Sequence, residues 1–132
     1  MLIKRIHNLL NEGGTLVFSM SHPLSTAYDG TYDRYTRLEN GERIYANLRN
    51  YNKEGIRKIK WVVDDYELYH RKISTLINSM VKSGFNIEEC QESKVPEDIS
   101  KKYPERFGGV MHQPDFIFFR CKKQSSKHFR EV

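Results

Sequence analysis

Cysteine, long apolar runs and glycine-rich loops are all scarce in this 132-residue chain. Cys90 and Cys121 are the only cysteines, too few for a disulfide framework, and they fit a reduced, cytoplasmic setting. No apolar run approaches the roughly 20 residues that span a bilayer, so no membrane partner is expected. The opening Met1 to His7 is too polar, and too helical in period, for a secretory signal. No glycine-rich phosphate or nucleoside loop occurs, and no serine nucleophile elbow. His7, His112 and His128 lack metal-ligand spacing, and no histidine lies near either cysteine in sequence, so neither zinc nor any other metal is expected.

The charge balance is basic, with 22 Lys and Arg against 17 Asp and Glu, a formal +5. Such a balance admits a nucleic-acid partner. The basic residues are scattered, however. The one cluster, Lys122, Lys123, Lys127 and Arg130, reads more simply as a solvated tail. Aromatics are plentiful, with eight Tyr and seven Phe. Many of the tyrosines fall between Tyr28 and Tyr69, which points to a cleft or a covering element.

Leu2, Ile6, Leu9 and Leu10 repeat at helical spacing, and Gly13-Gly14 stop that helix. Thr15 to Met20 then reads as a strand buried on both faces, because Leu16, Val17 and Phe18 show no alternation. Pro23 ends that pairing and holds His22 extended. Residues 25–54 are polar, tyrosine-rich and weakly patterned. They read as an insertion or lid, with a turn at Asn40-Gly41 and a short strand over Arg43 to Leu48. Ile56 to Val63 reads as an exposed strand. A helix follows, starting either at an Asp64–Glu67 capping box or nearer Arg71. Its apolar face is Tyr69, Ile73, Leu76, Ile77, Met80 and Val81, and Gly84 ends it.

Phe85 to Glu92 carries Glu88, Glu89 and Glu92 and suits a sheet edge. Residues 93–114, with Pro96, Pro104 and Gly108-Gly109, read as a long loop. Phe116 to Phe119 reads as a central strand covered on both faces. The order predicts an α/β domain whose sheet ends in an antiparallel hairpin. It reads like the second half of a nucleotide-type fold with no first half before it.

The ordered set of segments is similar to one known family. The segments are Leu9 to Ser19 with its Gly13-Gly14 break, then Ser21-His22-Pro23, Tyr69 to Thr75, Ser83 to Ile87, and Gln113 to Phe119. Together they resemble the C-terminal half of class I S-adenosylmethionine-dependent methyltransferases of the small-molecule type. No single segment is specific; their order over nearly the whole chain carries the likeness. The resemblance implies a partial Rossmann-like sheet in which the last strand lies between the two preceding ones, antiparallel to both. It implies S-adenosylmethionine as cofactor, gripped by leading strands that this chain does not contain, so the chain alone is expected neither to bind it nor to be active. A small-molecule methyl acceptor follows from the same likeness.

His22 follows the first buried strand, and open α/β sheets bind ligands outside the carboxyl ends of their strands. It is a candidate base or hydrogen-bond partner for the acceptor; the alternative is a strand terminator bonded to nearby backbone. His70 is a candidate to orient or deprotonate an acceptor atom, and Arg71 to pair with an acceptor carboxylate or phosphate. Tyr69 and Trp61 are candidate acceptor-wall residues, each with a core role as the alternative. The expected whole is a single partial domain over residues 1–132 that supplies acceptor-side residues. The unpaired 15–20 strand is expected to recruit a second copy, giving a homo-oligomer, or an N-terminal half on another chain. Two other readings stand beside it: a non-catalytic oligomerising module, and a small basic nucleic-acid-binding domain.

Overall fold

The computed structural model describes residues 2–60, 65–107 and 113–125. Helix α1 (Leu2–Leu9) leads into strand β1 (Thr15–Ser21) and a single helical turn, α2 (Pro23–Thr26). Four short strands follow: β2 (Tyr35–Arg37), β3 (Arg43–Ala46), β4 (Gly55–Ile59) and β5 (Tyr66–His70). Helix α3 (Ile73–Lys82), strand β6 (Phe85–Glu92), two short helices α4 (Glu97–Lys102) and α5 (Pro104–Phe107), and strand β7 (Phe116–Lys123) complete the order.

The chain divides into two units. The first comprises residues 1–20, 73–91 and 118–132, and the second residues 21–72 and 92–117. The main sheet runs in the order β1-β7-β6, with the last strand in the middle, as expected. The hydrogen bonds that bracket each pair fix its direction. Lys123 N–H donates to the Gly14 carbonyl at one end of β7, and His22 N–H donates to the Asp115 carbonyl at the other. Likewise Gln124 N–H meets the Gly84 carbonyl and Ser93 N–H meets that of Phe116. β7 is therefore antiparallel to both neighbours, and the charged β6 is an edge.

In the first unit the core is built of Leu76 and Met80 from α3 and Phe85, Phe119 and Cys121 from the strands. The Phe18 and Phe119 rings stack with centroids 5.4 Å apart. Gly84 turns the chain from α3 into β6 at φ +93°, and an added Cβ there would lie 2.7 Å from His7 Nε2. Cys121 is wholly buried beside Met80, and that burial raises its thiol pKa.

Three expectations are corrected. β1 and β7 are each covered on one face only: their burial alternates, leaving Val17 67%, Phe116 50% and Phe118 41% exposed. Val17 shares its face with Thr15, Ser19 and Ser21, so period two was present beneath a β-branched residue. Tyr66–His70 is a strand and not the start of the helix. It pairs antiparallel with β4, from Gly55 opposite His70 to Ile59 opposite Tyr66. α3 begins at Ile73, nearer the later of the two predicted starts. The long loop over residues 93–114 holds α4 and α5. The Arg43 strand and the Asn40-Gly41 turn form a hairpin with β2, with Gly41 at φ +86°. The Asp64 cap lies outside the described residues.

Candidate functional site

Within the second unit, two fully buried histidines brace the two ends of α2. Pro23 occupies the first helical turn, where its missing N–H costs nothing. His22 is the N-cap: its backbone is extended, and its Nδ1 accepts the Leu24 N–H at 3.0 Å. An Nδ1 that accepts carries a lone pair, so the proton of the neutral ring sits on Nε2. Nε2 donates to Glu92 Oε1 at 2.8 Å.

At the other end of α2, Thr26 Oγ1 lies 2.8 Å from His70 Nδ1. His70 Nε2 lies 2.8 Å from the Tyr51 carbonyl oxygen, which can only accept. Nε2 therefore carries the proton in the neutral ring, and the Thr26 hydroxyl donates to Nδ1. The Tyr51 ring meets the His70 ring edge-on at 5.4 Å. The 50–53 turn that supplies this carbonyl is held from a second side by Arg57. Its Nη2 donates to the carbonyls of Asn50 and Lys53 at 2.8 and 2.6 Å.

Asp115 gathers the opening of the 25–54 segment. Its Oδ1 accepts from Ser25 Oγ and from Arg34 Nη2, both at 3.0 Å. Tyr35 is buried, receives a hydrogen bond from Gln113 Nε2 at 2.8 Å, and lies beneath three guanidinium groups, Arg34, Arg37 and Arg43.

The structure thus brings His22 and His70 to the two ends of one short helix. It does not bring Tyr69 and Arg71 to them. Successive strand residues face opposite sides, and Tyr69 points away from His70 with 48% of its surface exposed. Arg71 lies 4.1 Å above the Tyr69 ring. Trp61 lies outside the described residues. Thr26, Tyr51 and Arg57 were not singled out in the sequence, and Glu92 only as an edge-strand charge. The histidine partners Thr26, Glu92 and Tyr51 are distant along the chain, and no spacing marks them; Arg57 bonds locally, to the carbonyls of Asn50 and Lys53.

An α/β arrangement in which the last strand lies between β1 and β6, antiparallel to both, with polar residues gathered at the β1–α2 junction, is the partial Rossmann-like arrangement of class I methyltransferases. The comparisons with known proteins agree. No family model matches the chain. An uncharacterised protein of Haemophilus influenzae is 28% identical over 122 residues, 92% of this chain and 47% of the relative. The crystal structure of a proposed S-adenosylmethionine-dependent methyltransferase from Listeria monocytogenes superposes with a TM-score of 0.79 at 25% identity, over 94% of this chain and 54% of that one. An S-adenosylmethionine-dependent methyltransferase from Mesorhizobium loti gives 0.78 at 26%, over 92% and 54%. The chain spans about half the length of each of these proteins, and the likeness to the C-terminal half of the methyltransferase fold stands.

The described residues do not fit a nucleoside cradle. Gly13 and Gly84 follow helices, Gly41 turns a hairpin, Gly55 opens β4, and Gly30 lies against the Lys58 carbonyl. None of these lies between a strand and the helix after it. Those junctions are His22 for β1–α2, Arg71-Lys72 for β5–α3 and residues 93–96 for β6–α4. No step through the cofactor is derived from this chain. Among the described residues no helix is long and apolar enough to cross a membrane, and no cluster of three His, Cys, Asp or Glu could hold a metal.

Proposed function

We propose that this chain is the acceptor-side portion of an S-adenosylmethionine-dependent methyltransferase acting on a small molecule in the cytoplasm. The observation that carries the reading is the β1-β7-β6 order together with the match to about half of two methyltransferase structures. The cofactor is then held by a polypeptide segment outside this chain, and the chain functions as one partial domain with residues 25–54 as its lid.

Both nitrogens of His22 and both of His70 are already engaged. They act as positioning residues: they fix α2 at the carboxyl end of β1, where methyl transfer needs alignment of the acceptor more than proton transfer. Tyr69 on β5 and Arg71 just after it, both exposed, supply a flat aromatic and cationic face to the acceptor, with Trp61 as a further wall residue. The test is S-adenosylmethionine added to the chain alone. The melting temperature is expected to stay unchanged at millimolar cofactor, because ligand that binds the native state raises it. A saturable rise would show that this chain grips the cofactor itself.

β1 has a ladder neighbour on one side only among the described residues, and Val17 is exposed on its face. An open apolar edge recruits another strand. A second copy, or the cofactor half, covers it. A non-catalytic oligomerising module would share this feature and lack methyl transfer. Light scattering is expected to give a dimer; a monodisperse monomer would remove the second-copy reading.

A further inference from the structure

Arg57 is the most deeply buried cation described in the second unit, with 7% of its surface exposed. Its Nη2 is bound to two carbonyl oxygens, and its Nε is buried with no hydrogen-bond partner among the described residues. No carboxylate among the described residues forms an ion pair with it. The Asp29 carboxylate feels its charge, but that carboxylate is bound directly to Arg49. A buried guanidinium without a direct ion pair is costly, and its planar fork matches carboxylate and phosphate oxygens.

A cleft of about 230 Å³ opens beside it, lined also by Lys53, Lys58, Asp29 and Glu54. Both of those acids are already engaged. Asp29 holds Arg49 at 3.1 Å and accepts the Thr31 N–H, and Glu54 accepts the Lys72 N–H at 3.0 Å. Lys53 pairs with no carboxylate among the described residues, and Lys58 reaches only the exposed Glu67 at 3.6 Å. Arg57 and Lys53 therefore line a cleft whose two acids are spoken for, while Lys58, the next residue of β4, turns its ammonium toward Glu67. Gly30, at φ +79°, lets the backbone after Asp29 close against the Lys58 carbonyl, where a Cβ would approach to 2.8 Å.

We propose that this cleft binds an oxyanion, the carboxylate or phosphate group of a small molecule, with Arg57 and Lys53 as its cationic walls. That the molecule is the methyl acceptor rests on the proposed function; anion binding itself does not.

The experiment is a two-arm amide NMR titration of the intact chain, with inorganic phosphate in one arm and acetate in the other, at ionic strength held constant with chloride. Saturable shifts centred on Lys53, Arg57 and Lys58 are expected in at least one arm, and the arm that saturates names the anion. Lys53→Gln should weaken the apparent Kd by about three-fold or more, as loss of one partly screened charge requires. It leaves the Arg57 clamp intact, because that clamp uses the Lys53 carbonyl. Asp29→Asn should tighten binding. Shifts that stay linear in both arms, or a Kd that neither substitution moves, would overturn the proposal. Cofactor binding is read in a separate experiment, so failure here is distinct from failure of the methyltransferase reading.

Discussion

Thr26 Oγ1 and His70 Nδ1 lie 2.8 Å apart, both buried, and join the end of α2 to the end of β5. His70→Ala removes this bond and the one to Tyr51, and it opens a cavity. A loss of about 2–4 kcal/mol in urea unfolding is expected. Thr26→Val keeps the shape but leaves Nδ1 unpaired. In a double-mutant cycle the two changes should couple by about 1 kcal/mol or more. Strict additivity would show that the hydroxyl and the ring act independently.

His22 makes a similar prediction at the other end of α2. His22→Asn can still cap with its side-chain oxygen, while His22→Ala cannot. The Asn variant should retain about 1 kcal/mol more stability than the Ala variant. Both lose the contact to Glu92, whose carboxylate is 56% exposed and can be hydrated instead. Equal stabilities of the two variants would mean that the Leu24 N–H bond contributes little.

Gly84 is constrained twice, by φ +93° and by His7. Gly84→Ala should cost more than about 1 kcal/mol, because backbone strain and side-chain crowding act together. His7→Ala in that background should recover the crowding part and leave the strain. Chemical denaturation of wild type and the two variants, with the His7→Ala single variant as reference, separates the two contributions.

The Asp29 carboxyl is held below its ordinary pKa, first by the Thr31 hydroxyl, then, after an opposing cost of burial, by the Thr31 N–H, Arg49 and Arg57. A carboxyl lowered by folding stabilises the native state above its unfolded pKa. That contribution is lost as pH falls through the folded value. The advantage of wild type over Asp29→Asn should therefore be full near neutrality and shrink below the ordinary aspartate range. Urea midpoints across that range measure it; a constant gap would contradict the linkage.

The parts of the fold that were legible in the sequence are those with strong local punctuation. Gly13 and Gly84 end helices at φ +71° and +93°, and Glu88, Glu89 and Glu92 mark β6 as an edge. β5 was not legible. Tyr66 to His70 lies next to a capping-box pattern and continues the apolar spacing of α3, and only pairing with β4 makes it a strand. The one-sided burial of β1 was hidden by Val17, which looks like core in a string of letters and stands beside Thr15 and Ser19 on the sheet.

The site divides in the same way. Pro23 marks the end of β1 and an extended His22 from local chemistry, and the structure shows both; that the same proline opens α2 was not legible in the sequence. The partners of the two histidines lie 70, 44 and 19 residues away, at Glu92, Thr26 and Tyr51, and no spacing rule reaches that far. Arg57 was hidden for a different reason. In an alternating polar strand it reads as solvated, and its burial comes from the 50–53 turn that folds over it.

The most direct test of a methyltransferase portion is a chimera. The part of the Listeria monocytogenes protein that does not align with this chain would be joined ahead of residues 15–123, and S-adenosylmethionine binding measured by thermal shift beside the chain alone. The chimera should show a saturable rise in melting temperature that the chain lacks. A folded chimera that ignores the cofactor would contradict the reading of these strands as the trailing part of a methyltransferase sheet.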